Sequence, residues 1–317
     1  MVVFRLTLLG WVTREIAEII GVSPQTITNF CQEFSDLKNL TKSLLSEGHP
    51  HTEIADRHNM PLQLVWAIDL EGRTDAQRFE KLRIGNPQPY DVWSFGKCHD
   101  LFGNAHPGRI PGQLIAHVLY FFTKPGDMVI DPMAGSGTTT DVCLTMGRKC
   151  YAYDIDLRHE RTDIIKHNLT ETDEETKLYW PNRIKKANLI FWDPPYFEKM
   201  DSQNIGGEGY IEGSISKLGR EGYLSFIANR LTEAKELVKR GTKLAFLMSD
   251  WDDETEQREG IFIWDYANII TRAGWKLKRH IQVPLPTQQV HPDIVMKFRK
   301  SRRLARLERY LLIAEAA

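Results

Sequence analysis

From Gly112 to the end, the chain alternates helix-like and strand-like stretches, and this alternation limits the fold more than any other feature. GQLIAHVLYFFT (112–123) and TTTDVCLTMG (138–147) have helical patterns, whereas DMVIDP (127–132), KCYAYDID (149–156) and TDIIKHN (162–168) read as strands. NLIFWDPP (188–195) is a further strand, EGYLSFIANRLTEAKELVK (221–239) a helix and KLAFLMSD (243–250) a strand. IFIWDYANIITRAG (261–274) is a further helix, and WKLKRHIQV (275–283) and RYLLIAEA (309–316) close the series as strands. Alternation of this kind predicts an α/β fold with a doubly wound, mostly parallel sheet. One connection departs from the ideal: the few residues from Leu157 to Arg161 are too short for an ordinary crossover helix, so a turn is expected there.

Upstream, TREIAEIIGVSPQTITNF (13–30) suits two helices packed across a tight turn, with Gly21 in the turn and Ser23-Pro24 opening the second helix. The pattern returns 38 residues later in HTEIADRHNMPLQLVW (51–66), where Asn59 stands for the glycine because Asn tolerates a left-handed conformation. The expected organisation is a small all-α domain of tandem helix-turn-helix units over 1–84, an ordered connector over 85–105 and an α/β domain over 106–317. Ser23, Gln25, Thr26 and Asn29 are the candidate DNA contacts of the first unit, although residues 1–84 carry nine Lys/Arg against eleven Asp/Glu.

Composition narrows the classes without choosing among them. A formal net charge of −1 makes no global case for a polyanionic partner, so any nucleic-acid surface must be a local patch. Four cysteines, Cys31, Cys98, Cys143 and Cys150, lack metal-ligand spacing or a disulfide framework, and no metal is expected. No signal-like segment opens the chain and no uncharged apolar run approaches ~18 residues, so the expectation is a cytoplasmic protein with no membrane partner.

Two turns carry the chemistry. In VIDPMAGSGTTTDVC (129–143), Asp131, Pro132, Met133, Ala134, Gly135, Ser136, Gly137, Thr138 and Thr139 lie between a strand and a helix, where glycines let the backbone approach a ligand. A phosphate-cradling loop would continue Gly-Lys-Ser/Thr and a dinucleotide fingerprint would place a third glycine at Thr140, so both are weakened. The remaining candidate is S-adenosylmethionine, with Asp131 attracting its ammonium group and Asp154, at the end of the next strand, placed for ribose hydroxyls. The second turn is Asp193-Pro194-Pro195-Tyr196, at the end of an apolar strand. Prolines end the strand and stiffen the backbone beyond it. An exocyclic amine is a weak nucleophile because its lone pair is delocalised into the ring. Asp193 and the carbonyl of Pro194 can each accept one of its N–H groups, while Tyr196, assisted by Phe197, stacks on a flipped base.

These motifs resemble those of the S-adenosylmethionine-dependent DNA amino-methyltransferases, which methylate adenine or cytosine on the exocyclic nitrogen. DPMAGSGTT resembles the family's cofactor loop, DPPY its catalytic motif, and HPGRIPGQLI (106–115) the segment that reads HPxxKPxxLI in many members. The resemblance implies that His106, Arg109 and Pro111 border the methionine end of the cofactor, with Ile110 where the pattern has Lys and Arg109 as its substitute. Asn168 stands where members often carry an acid near the cofactor's adenine. Asp at the first motif position is commoner in adenine enzymes, so adenine is favoured over cytosine; an RNA guanine methyltransferase and an inactive DNA-binding regulator are the further alternatives. The resemblance leaves room for a homodimer and for a restriction-modification or phage-related setting.

DNA would lie along MKFRKSRRLARLERY (296–310), where Lys297, Arg299, Lys300, Arg302, Arg303, Arg306 and Arg309 face a single acid, Glu308. Gln288 and Gln289, in the adjacent loop, are candidates for reading a base edge. The glycine-rich segment 198–218 is a candidate lid.

Overall fold

The computed structural model describes the chain apart from residues 105–108, 158–160, 198–213, 252–258, 285–291, 303 and 305–307, and apart from the side chains of Ile294 and Lys297. Two compact units are formed, one from Met1–Pro87 and Cys98–His167, the other from Gln88–Lys97 and Asn168–Ala317.

The first unit begins with six helices: α1 (Val2–Leu8), α2 (Thr13–Ile20), α3 (Pro24–Ser46), α4 (His51–Arg57), α5 (Leu62–Asp69) and α6 (Asp75–Leu82). The two expected turns are present. Gly21 ends α2 at φ 75°, and Ser23 caps α3 by accepting from Thr26 N at 3.1 Å. Asn59 holds φ 48° between α4 and α5. The second helix of the first pair runs to 23 residues, longer than a short recognition helix requires.

These helices pack in the same unit as α7 (Gly112–Phe122), β1 (Met128–Asp131), α8 (Thr138–Thr145), β2 (Lys149–Asp154) and β3 (Ile164–Lys166). The strands run parallel in the order β3-β2-β1, with Asp131 opposite Ala152 and Asp154 opposite Lys166. The N-terminal segment is stitched to β2: Cys150 N donates to Leu9 O at 2.9 Å, Trp11 Nε1 donates to Cys150 O at 2.8 Å, and the Trp11 and Tyr151 rings stack at 4.9 Å. The described residues between β2 and β3 contain no helix, as the short spacing requires.

The second unit holds β4 (Leu189–Trp192), α9 (Arg220–Leu237), β5 (Lys243–Met248), α10 (Ile263–Arg272), β6 (Trp275–Gln282), α11 (Pro292–Ser301) and β7 (Tyr310–Ala316). Its strand order is β4-β5-β7-β6; β4 and β5 are parallel, and β7 is antiparallel to both its neighbours. The fold class is therefore the expected α/β arrangement of mostly parallel strands joined by helices. All four β4 residues are buried, and so is nearly all of β5 and β7, which explains their unbroken apolar runs. Part of the connector belongs here: Trp93 N donates to Gln282 O at 2.8 Å, and its buried indole donates to Tyr90 O at 2.9 Å. No described helix is long and apolar enough to cross a membrane.

Candidate active site

In the first unit the chain leaves β1 at Asp131, 2% exposed, whose Oδ1 accepts from Met133 N at 3.0 Å and starts the turn. Gly135 (φ 50°) and Gly137 (φ 82°) both take the left-handed conformation that glycine adopts without strain. The turn is sewn to β2, because Ala134 N donates to Tyr153 O at 2.8 Å and Gly135 N donates to Asp154 Oδ2 at 2.7 Å. Asp154 Oδ1 accepts from Asp156 N at 2.9 Å, so both oxygens are oriented and the half-buried carboxylate is fixed beside the turn. Gly135 is exposed with open space where a Cβ would stand, whereas Ser136, Thr138 and Thr139 are buried and support the turn from inside.

Behind the turn lies a charge cluster with no counterpart among the sequence expectations. Arg161 donates Nη1 to Ser136 O at 3.3 Å and to Asp141 Oδ2 at 3.1 Å, Nη2 to Asp141 Oδ1 at 2.9 Å and to Thr140 Oγ1 at 2.6 Å, and Nε to Asp163 Oδ1 at 2.8 Å. Arg5, from α1, donates Nε to Asp163 Oδ2 at 2.8 Å and also pairs with Asp141. Burial opposes ionisation of Asp163, but Arg5 and Arg161 overcome it and hold its carboxyl well below the usual range. The Arg161 guanidinium also fills the space beside Gly137, where a Cβ would approach its Cζ to 2.5 Å, so position 137 needs glycine for space as well as for φ. Asp141 offered one sequence signal: an acid within TTTDVCLT, a helix buried on every side, requires a buried cation. Nothing in the sequence identified which cation.

Asp193 follows β4 in the second unit. Its Oδ1 is buried and has no hydrogen-bond partner among the described residues, while the carboxylate is hydrogen-bonded to Tyr196. Burial pushes its pKa up to about 7, against the opposing pull of Arg309 and the Tyr196 bond. Pro195 is anchored by Tyr223 of α9, wholly buried, whose hydroxyl donates to Pro195 O at 3.0 Å and which is hydrogen-bonded to Tyr266 of α10. Tyr196 is half-buried. Phe197, the expected nucleic-acid contact, is 2% exposed and packs on Tyr223 and, edge to face at 4.8 Å, on Trp251, so its ring supports the turn.

The remaining expected residues fall in three groups. Arg109 and Asn168 are occupied locally: Arg109 Nη1 donates to the carbonyls of Phe102 and Gly103, and Asn168 Oδ1 accepts from Thr170 N at 2.9 Å while its Nδ2 donates to Glu171 at 2.8 Å. Pro111 is buried at the N-cap of α7. Exposed residues include Arg299, Lys300 and Arg302 around the end of α11, and Ser23, Gln25 and Asn29 with half-buried Thr26 at the start of α3, where Gln25 Nε2 donates to Asn29 Oδ1 at 3.2 Å. His106, Gln288, Gln289, Arg303 and most of the candidate lid lie outside the described residues, as does the side chain of Lys297.

Residues 50–167 match the family model described as DNA methylase. The chain is 31% identical over 149 residues to DNA adenine methyltransferase YhdJ of Escherichia coli, covering 42% of this chain and 51% of that one. It is also 31% identical over 131 residues to type II methyltransferase M.BamHI of Bacillus amyloliquefaciens, covering 37% and 30%, and 31% identical over 96 residues to M.BglII of Bacillus subtilis, covering 30% and 26%. The chain thus spans about half or less of the length of these curated relatives. The segment similar to the DNA methylase family, residues 50–167, contains β1, its glycine turn and α8.

Proposed function

We propose that the chain is a DNA methyltransferase that moves the methyl group of S-adenosylmethionine to the exocyclic 6-amino group of a flipped-out adenine. One observation carries the reading: at the end of β4, a buried carboxylate oxygen without a hydrogen-bond partner among the described residues stands on a rigid Pro-Pro turn. An unsatisfied buried acceptor costs about 1–3 kcal/mol, and such a cost is explained where an incoming N–H donor satisfies it. The donors of a base's amino group fit it.

The first turn fits the cofactor. Open space beside exposed Gly135 admits the ligand to the backbone, and the oriented Asp154 carboxylate suits ribose hydroxyls. Asp131 supplies negative charge at the end of β1 for an ammonium group. When bound, S-adenosylmethionine supplies an electrophilic methyl on a sulfonium centre.

Asp193 Oδ1 and the carbonyl of Pro194 accept the two amine hydrogens, which localises the nitrogen lone pair and aims it at the methyl. Holding the amine in line converts a bimolecular encounter into a unimolecular step, an effect of up to ~7–11 kcal/mol. Removing the base from its stack costs a few kcal/mol, which stacking on Tyr196 offsets. The methylated nitrogen must then lose one proton. A carboxylate with a pKa near 7 is matched to accept it at neutral pH, so Asp193 both orients the amine and takes its proton.

Adenine is preferred to cytosine on two grounds, the Asp that opens DPPY and the adenine specificity in the name of the YhdJ relative. DNA is held by the exposed cations Arg299, Lys300 and Arg302 and by the start of α3. The test is incubation of duplex DNA, single-stranded DNA and RNA with labelled S-adenosylmethionine, followed by mass spectrometry of the nucleosides. N6-methyladenine in DNA is expected. N4-methylcytosine would overturn the base assignment, and label in RNA alone would overturn the substrate class.

A further inference from the structure

Arg309 is an unusual cation. It is 6% exposed, yet its Nε has no hydrogen-bond partner among the described residues. A guanidinium kept dry without a full set of acceptors is costly to bury, and such groups concentrate where a charge serves a neighbouring site.

Strand register places it. β4 and β5 pair in parallel up to Trp192 opposite Phe246, so the next row aligns Asp193 with Leu247, and Leu247 pairs with Leu311 of β7. Arg309 precedes Leu311 by two residues and is held in line by the bond from Val283 N to its carbonyl at 2.8 Å. Side chains two apart along a strand share a face, so the alternation, carried one residue past β4 and one residue before β7, sets Asp193 and Arg309 on the same face at the same end of the sheet. We propose that Arg309 is a positioning residue for methyl transfer: its buried guanidinium keeps Asp193 in the carboxylate form that accepts the target amine. This inference rests on the amino-methyltransferase reading of that turn.

The groups around Asp193 leave this role to Arg309. Tyr196 from its own turn is hydrogen-bonded to Asp193. Tyr223 of α9 and Tyr266 of α10 are hydrogen-bonded to each other, and burial pushes both phenols up, so they stay neutral. Asp250, after β5, acts on Tyr266 and accepts from Ile263 N at 2.8 Å, and Glu308 pairs with the Tyr310 hydroxyl. Among the described residues, Arg309 is the cation whose charge acts on Asp193. Without it, burial has no charge to oppose it, and Asp193 would be protonated at neutral pH, with a hydroxyl where an acceptor is needed.

The test titrates Asp193 in the full-length protein by carboxyl 13C NMR, its signal assigned by loss in Asp193→Asn, in parallel with the pH profile of methyl transfer. Arg309→Met should raise the Asp193 midpoint by roughly 1–3 pH units and move the acid limb of kcat by the same amount, with S-adenosylmethionine affinity unchanged. Arg309→Lys should return both midpoints towards those of the unaltered protein, and Arg309→Gln serves as the charge-free variant if the Met variant does not fold. An unmoved Asp193 titration in the charge-free variant, or a Lys variant that titrates like it, overturns the proposal. If the unaltered protein methylates no nucleic acid at any pH, the proposed function fails, and the NMR titration still decides the role of Arg309.

Discussion

The two turns solve opposite problems. Around the glycine turn after β1, two arginines and two aspartates satisfy one another, and Asp154 takes a backbone N–H on each oxygen. At the turn after β4, Asp193 keeps a buried oxygen bare. A binding surface for a constant ligand gains from being fully satisfied beforehand, because nothing has to reorganise when the ligand arrives. A surface that must seize and activate an amine has to hold an acceptor in reserve, at a cost in stability.

The strongest way to break this comparison is Asp193→Ala. On our reading it removes the acceptor that aims the amine, so transfer should fall by at least ~10²–10³-fold, the scale seen when one preorganised hydrogen-bonding group is removed from a site. Cofactor affinity, measured by calorimetry, should change little. Full activity in this variant would end the proposed mechanism, and an equal loss of cofactor affinity would show that the turns are not separable.

Arg161→Met attacks the other turn. Two buried carboxylates lose one of the two cations they share, and breaking a buried pair from one side costs up to roughly 3–5 kcal/mol, the part that Arg5 does not make good. Denaturant unfolding should show that loss, and the KM for S-adenosylmethionine should rise because Ser136 O loses its anchor. A variant with unchanged stability and KM would mean that Arg5 alone supports the turn.

A smaller effect tests the cost of the bare acceptor. The folded-state pKa of Asp193, about 7, lies above its ordinary value of 3.8, so the folded protein binds this proton more tightly than the unfolded chain does. Its contribution is fully present below pH ~4 and is lost as pH rises through 7. Asp193→Asn, which cannot ionise, should therefore be more stable than the unaltered protein at pH 8 by roughly 1–3 kcal/mol and should show no such advantage at pH 4. An equal difference at both pH values would mean that packing, not ionisation, sets the cost.

The range of each interaction decides how much of the fold and the site was legible in the sequence. β1, β4 and β5, the positions of both turns, Gly21 and Asn59 at left-handed turns, and the Ser23 cap all depend on local patterning, and each was read from a few neighbouring residues. The support of the turns depends on pairs such as Arg5 with Asp163, 158 residues apart, which no periodicity encodes. Arg309 was read as one more member of a basic run, because sequence does not distinguish a buried cation from a solvated one. Phe197 and Asn168 flank the right motifs for ligand contact, and what the sequence does not reveal is that the Phe197 ring is buried on Tyr223 and that Asn168 hydrogen-bonds within its own turn.

The smallest effect comes from a region that belongs to neither turn and so sets a baseline for both. Ser23→Ala removes the side-chain acceptor for Thr26 N at the start of α3 and should cost about 1 kcal/mol of stability, as helix N-caps commonly do. Neither the KM for S-adenosylmethionine nor the pH profile of transfer should move, because an exposed cap touches neither Asp154 nor Asp193. DNA affinity is the discriminating readout. If the start of α3 touches DNA, as its exposed Gln25 and Asn29 suggest, Gln25→Ala combined with Asn29→Ala should weaken DNA binding and leave stability within about 0.5 kcal/mol. Unchanged DNA affinity in that double variant would remove the helix pair from the DNA interface and leave the exposed cations at the end of α11 to carry it.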